Sequence, residues 1–254
     1  MHSFHSFTQL IQKLRAPDGC PWDIEQTFQS LKPYIIEEAY ELFDALSSEN
    51  PADLKEELGD VLLHIVMISN MAEEKNWFSI NDVINDIHKK MVYRHPHVFG
   101  DKKVNSVNDV WKNWDALKEK EKKTESIMDS VPKSLPSLLL AYKYQKRASK
   151  QGFDWDTQEG PLEKLDEEVQ EFKDALKSSN ADHIIEEAGD VLFSIVNILR
   201  KHNINPEFAL KASNEKFLNR YMIMEKECKT KNLSFKDMSM DEKEALWDIA
   251  KTQT

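Results

Sequence analysis

An all-α protein built from two tandem helical modules is what this sequence predicts, on three observations. The composition leans helical: 31% of the 254 residues are charged and only 6 are glycine, which disfavours β-sandwiches and barrels. Apolar residues recur at three- and four-residue steps through the long segments. The chain also repeats itself. Residues 35–66 and 165–196 align without gaps at an offset of 130, with 16 of 32 positions identical. A period that long means domain-sized modules rather than a solenoid.

The elements follow in order. Ahead of each repeat lies a short turn-like stretch, GCPWD at 19–23 and GFDWD at 152–156, and a QK pair at 12–13 matches one at 145–146. The first repeated helix of the second module carries Leu165, Val169, Phe172, Ala175 and Leu176 on one stripe. A short polar break, SSENPAD in the first module and KSSNADH in the second, precedes another periodic run. In the second module that run carries Ile184, Ile185, Ala188, Val191, Leu192, Ile195 and Val196. So short a connection makes an antiparallel helical hairpin, and Pro51 suits the first turn of its second helix. Runs near 79–94 and 205–228 supply a third helix to each module. The charged, proline-containing segment around 119–136 reads as a linker, giving modules over 1–118 and 137–254.

Charge and cysteine content bound the function. A net charge of −11 argues against a broad nucleic-acid surface. The longest apolar run, VLLHIVMI, is about half of the ~20 residues a membrane helix needs. No signal-peptide core is visible, and two cysteines, Cys20 and Cys228, fit a reducing compartment. A cytoplasmic protein with no membrane partner is expected.

The repeat is organised around carboxylates. Glu37, Glu38 and Glu41, then Glu56, Glu57 and Asp60, form two knots separated by 14 residues; Glu167, Glu168 and Glu171, then Glu186, Glu187 and Asp190, repeat them. Half of the aligned positions differ, yet none of these acids does. On a helix, i and i+3 share a face with Cβ atoms roughly 5–6 Å apart, and the hairpin sets the two pairs opposite each other. Converging carboxylates repel, shifting their pKa values or disturbing the packing unless a cation sits between them. Oxygen-only ligands suit Mg²⁺, with Mn²⁺ as a substitute. Gly59 and Gly189, placed mid-helix beside the acids, imply close approach of another helix or of a phosphate.

Together, E-E-x-x-E, a turnaround and E-E-x-x-D, with GCPWD, RHPHVFG (94–100) and NEKFLNR (214–220), resemble the MazG family of nucleoside triphosphate pyrophosphohydrolases, within the all-α NTP pyrophosphatase superfamily. The likeness runs over nearly the whole chain. It implies Mg²⁺-dependent cleavage of NTPs between the α- and β-phosphates, a homodimer that completes each helix bundle, and the main activity in the C-terminal module. It also implies Glu168, Glu171, Glu187 and Asp190 as metal ligands. Glu38, Glu41, Glu57 and Asp60 correspond in the first module.

Other roles are expected beside these. Glu167 and Glu186 are free to orient or deprotonate a water. Lys164 can face the same site or form an ordinary i,i+4 ion pair with Glu168. The basic pair Lys216 and Arg220, with Asn214 one turn earlier, suits phosphate; Lys90 and Arg94 occupy the matching helix of the first module. Trp247 is a candidate to stack on a base, beside a core or dimer role. Trp22 and Trp155 are expected to be structural, Cys20 a small buried side chain, and His95 and His97 loop-packing residues rather than a metal pair. Two alternatives stay open: an enzyme narrowed to one substrate such as dUTP or phosphoribosyl-ATP, and a nucleotide- or partner-binding regulator without turnover.

Overall fold

The computed structural model describes residues 2–121 and 126–254, with the side chains of 119–121 left aside. The chain forms two compact units, Met1–Lys123 and Thr124–Thr254. Among the described residues the only regular elements are helices. In the first unit these are α1 (Phe4–Leu14), α2 (Pro21–Glu25), α3 (Lys32–Ser48), α4 (Pro51–Glu74), α5 (Ile80–Arg94), α6 (Pro96–Phe99) and α7 (Val107–Glu121). In the second they are α8 (Ser137–Lys150), α9 (Glu159–Ser178), α10 (Ala181–Lys201), α11 (Pro206–Thr230) and α12 (Met240–Lys251).

Both hairpins turn in the same way, and more tightly than the seven-residue polar breaks imply. α3 ends at Glu49 and α9 at Ser179, each in the left-handed region with φ of 53° and 55°. The next residue caps the following helix. Asn50 accepts from the Ala52 N–H, and Asn180 from those of Asp182 and His183. An Asn side chain satisfies amides that the first turn leaves open, and Pro51 at the first helical position lacks an amide to satisfy. With two connecting residues, α3 must fold back along α4, and α9 along α10; both pairs pack together.

In the first unit the core gathers Ile11 of α1, Leu31, and Val66, Met67 and Met71 of α4, with Phe7, Leu14, Phe28, Leu63 and Ile68 against it. In the second, Met224 and Cys228 of α11 meet Leu246 and Ala250 of α12, and Trp247 packs on that cluster. Much apolar surface stays outside these cores: Ile36 is 59% exposed, Leu58 53%, Ile185 70% and Leu192 53%.

Several expectations meet the structure here. Of the linker expected over 119–136, residues 119–121 instead end α7, 122–125 lie outside the described residues, and 126–136 is turns and bends that contribute buried Val131. Cys20 is half-buried rather than buried, because it is the residue before α2. A Cβ on Gly59 or Gly189 would meet nothing within 4 Å, so no helix of the same unit crosses at either glycine. His95 packs its ring edge-on to Trp114 with centroids 5.1 Å apart, and its Nδ1 lies 2.6 Å from the Met91 carbonyl, in keeping with a packing role. No described helix is long and apolar enough to cross a membrane.

Candidate functional site

The α9–α10 hairpin brings three carboxylates together. Oxygens of Glu168, Glu171 and Glu187 all lie within 4.8 Å of one another. Glu168 is buried at 6% exposure, since it faces α10 from the apolar side of α9. Burial, reinforced by the charges of Glu168 and Glu187, pushes the Glu171 carboxyl above its ordinary range. Glu187 has one oxygen 3.2 Å from His183 Nε2, while its Oε2 is buried with no hydrogen-bond partner. A buried acceptor left unpaired is costly, and a hard divalent cation would satisfy it along with the three-way repulsion. The residues present fit such an ion. Asp190 stands outside this group of three but lines the cavity next to Glu168.

Among the described residues, Lys164 supplies an ammonium at the group. Its ammonium lies 2.7 Å from Glu168 Oε1 and 2.9 Å from Glu167 Oε1, and those two carboxylates hold its pKa above the usual lysine range. Lys164 thus makes the i,i+4 ion pair and also lines the cavity beside the group. Glu167 is exposed and held by that lysine, whereas Glu186 is exposed on α10 and is not one of the group of three.

The matching group of the first unit has the same shape with a different counter-charge. Glu38, Glu41 and Glu57 lie within 4.8 Å of one another. Burial, then neighbouring carboxylates, raises the Glu41 and Glu57 pKa values. Tyr34 stands where Lys164 stands in the second unit, and its ring stacks on His64 with centroids 6.2 Å apart. His64 Nε2 in turn sits 3.6 Å from Glu38. Asp60 is again outside the three, although its charge acts on Glu57.

Among the described residues, the two units differ in the space beside the acids. In the second, a cavity of about 280 Å³ opens between α8, α9, α10 and the 153–155 stretch. Tyr144, Phe153, Trp155 and Phe193 form aromatic walls, Gln145 and Asn197 bring amides, and Lys164, Glu168 and Asp190 stand in its lining. Predominantly apolar walls with a few convergent polar groups are what small-molecule sites look like. In the first unit, among the described residues, a space of about 80 Å³ is lined by Glu38 and His64 with Ile35, Val61, Ile65 and Ile68, and tightly buried Met67 stands at the position of Asn197.

A network of charges builds the aromatic wall. Asp154 accepts from Arg200 Nη2 at 2.7 Å, and Lys201 donates to the Trp155 carbonyl, which pins the loop to the end of α10. Burial raises the Asp154 pKa and is outweighed by the Arg200 hydrogen bond, so the net direction is downward. A Cβ on Gly160 would fall on the Trp155 indole, so glycine there leaves room for the ring against α9. Gly160→Ala is expected to displace Trp155 and raise KM by about tenfold, roughly 1.4 kcal/mol, with kcat nearly unchanged. Steady-state kinetics with a melting curve to confirm folding checks this.

Not every expected residue arrives at the cavity. Asn214, Lys216, Arg220 and Trp247 are absent from its lining. Arg220 lies over the Trp247 ring, 5.6 Å from its centroid, and donates to Thr254 Oγ1. Conversely, Trp155, read from sequence as structural, is a wall of the cavity, and Tyr144, Gln145, Phe153, Phe193 and Asn197 carried no sequence signal for a site. The QK match at 145–146 was the one available hint, and it pointed to the repeat rather than to a ligand.

Comparison with known proteins gives concordant matches. The MazG nucleotide pyrophosphohydrolase domain profile matches twice, over residues 26–99 and 156–223. A nucleoside triphosphate pyrophosphohydrolase/pyrophosphatase MazG of Thermotoga maritima is 41% identical over 98% of this chain and 95% of that one. A nucleoside triphosphate pyrophosphohydrolase of Escherichia coli K12 is 37% identical over 100% and 98%. An uncharacterized protein YabN of Bacillus subtilis is 46% identical over 98% of this chain, which spans 52% of that protein.

Proposed function

The chain belongs to the MazG nucleotide pyrophosphohydrolase family, enzymes acting on phosphoric anhydrides, and from that premise we propose its reaction: hydrolysis of nucleoside triphosphates at the α–β bond. Water oxygen bonds to the α-phosphorus, the bridging P–O bond breaks, and nucleoside monophosphate and pyrophosphate leave. The observation that carries this reading to the second unit is the adjacency of the three-carboxylate group and a cavity of about 280 Å³. The acids face the phosphates and the aromatic walls take the nucleoside.

Glu168, Glu171 and Glu187, with Asp190 beside them, would hold Mg²⁺ or Mn²⁺. The ion supplies charge neutralisation at the phosphate oxygens, most of what phosphoryl transfer asks for. Lys164 offers its ammonium to a phosphate oxygen, exchanging a carboxylate partner for a more highly charged one. We assign Glu167 and Glu186 to positioning the attacking water, Glu167 becoming available as Lys164 turns to the substrate. Asn214, Lys216, Arg220 and Trp247 lie outside this cavity, and their phosphate and base contacts are assigned to a substrate bridged by a second copy of the chain. The exposed apolar residues Ile36, Leu58, Ile185 and Leu192, and the open space at Gly59 and Gly189, support a homodimer. Light scattering should then return twice the monomer mass of 29.6 kDa.

Glu38, Glu41, Glu57 and Asp60 would bind a cation beside the smaller space of about 80 Å³ seen among the described residues, which suits the first unit to assembly or regulation. Phosphorus NMR of the purified protein with Mg²⁺ and each common NTP and dNTP tests the reaction. Monophosphate and pyrophosphate are expected; diphosphate and inorganic phosphate would mean that the β–γ bond is cut instead.

A further inference from the structure

Resting on the reading of the second unit as the nucleotide site, we propose that Lys164 is a resident counter-ion that makes the second carboxylate group take its divalent cation together with the nucleotide, whereas the first group, with Tyr34 at the matching position, takes one with no nucleotide present. The two groups are otherwise alike. Glu38, Glu41 and Glu57 repeat Glu168, Glu171 and Glu187, and in each set carboxylate oxygens lie within 4.8 Å of one another. Glu57 Oε2 and Glu187 Oε2, one repeat apart, are both buried with no hydrogen-bond partner. Each unit also sets a histidine beside one carboxylate of its group, His64 at 3.6 Å from Glu38 and His183 at 3.2 Å from Glu187.

The ammonium is the difference. Lys164 Nζ lies 2.7 Å from Oε1 of Glu168, whose side chain is 8% exposed, and 2.9 Å from Glu167 Oε1. A buried carboxylate needs a positive partner, and in the second unit the chain itself supplies one. Tyr34 brings no such charge, because a phenol is never cationic. Its ring packs against Trp22 and His64 instead, with centroids 6.0 and 6.2 Å away.

Without nucleotide, a divalent cation approaching the second group meets the charge of Lys164. Whether the ammonium leaves Glu168 or stays on it, the repulsion weakens binding. The Lys164 side chain is 37% exposed, so solvent screens part of this effect, and a loss of about tenfold is the expected floor. A triphosphate reverses the balance. Lys164 lines the cavity, so phosphates seated there come within reach of its flexible stem. They outcompete a single carboxylate for the ammonium, and carboxylates and phosphates then share the divalent ion. Cation and nucleotide must therefore tighten each other's binding at the second unit, by the same factor in both directions. The first group needs no such exchange.

Equilibrium dialysis of the full chain against Mn²⁺ tests this and requires no turnover. Wild type should hold about one tight Mn²⁺ per chain, lost in Glu41→Ala, and another at least about tenfold weaker, lost in Glu171→Ala. Lys164→Met, which keeps the aliphatic stem, should tighten the weaker site by at least about tenfold, and Lys164→Gln should do the same. Melting curves confirm that each variant is folded. At a Mn²⁺ concentration that fills only the tight site, α,β-methylene-ATP, whose α–β linkage resists hydrolysis, should raise bound Mn²⁺ to about two per chain in wild type and leave Glu171→Ala at about one. Two equal sites in the wild type, or a weaker site that ignores both Lys164 substitutions, would overturn the proposal, as would an analogue that adds no Mn²⁺. If phosphorus NMR finds no cleavage while these titrations behave as expected, the reaction assigned to the second unit fails and the counter-ion role of Lys164 stands.

Discussion

Glu171→Ala is expected to lower turnover by about 10²–10³-fold, while Glu41→Ala, the matching change in the first unit, leaves it within about twofold of wild type. Glu171 belongs to the carboxylate group that adjoins the cavity of about 280 Å³, and Glu41 to the group that, among the described residues, adjoins a space of about 80 Å³. Folding should survive both changes. Glu171 keeps much of its side chain in solvent, while its carboxyl is partly desolvated at the hairpin and stands among like charges, which together push its pKa up, so truncating it relieves both. The metal-free variant should melt no lower than wild type, and the release of pyrophosphate is the readout for activity. Full activity in Glu171→Ala with loss in Glu41→Ala would transfer the chemistry to the first unit.

The second large effect is a dependence of stability on pH that a divalent cation removes. Glu41, Glu57 and Glu171 all have folded-state pKa values raised first by burial and then by neighbouring carboxylates. A raised carboxyl means that the folded chain binds more protons than the unfolded chain between the ordinary value and the raised one. Stability must therefore fall as pH rises through that window, and it stays low above it. Glu74 and Asp154 have lowered values owing to Arg15 and Arg200. They act in the opposite sense, losing their contribution only as pH falls below the ordinary carboxylate range, so the two windows do not overlap. In a chelator, melting temperature should rise as pH is taken from 8 towards 5. Mg²⁺ at about a hundred times its dissociation constant should add about 2.7 kcal/mol at neutral pH and flatten the curve. A melting temperature indifferent to both pH and Mg²⁺ would mean that the carboxylates are solvated and bind no ion.

How legible the site was depends on how local its cause is. The carboxylate knots could be read because helical periodicity converts i, i+3 spacing into a shared face, and because a two-residue turn leaves a hairpin little choice but to close. Glu168, Glu171 and Glu187 therefore converge as their spacing implies, while Asp190, one turn further along α10, borders the cavity instead. The basic residues were a different matter. Lys216 and Arg220 share a helical face, but which body that face packs against is a property of α11 and α12. In the fold Arg220 turns to Trp247 and Thr254, a destination that no spacing within the helix encodes.

Sequence alone determined the helical class, the two-module organisation, the family, and the acids that meet across each hairpin, because these follow from short-range periodicity and from the repeat. Tertiary structure alone decided that, among the described residues, the larger cavity stands beside the acids of the second module. That room depends on single side chains contributed by separate helices: Asn197 where the first unit has Met67, Ser194 where it has His64, and a glycine at 160 on which Trp155 lies. Cavity volume is what remains after all of these have packed, a sum over distant neighbours that no local pattern in the chain records.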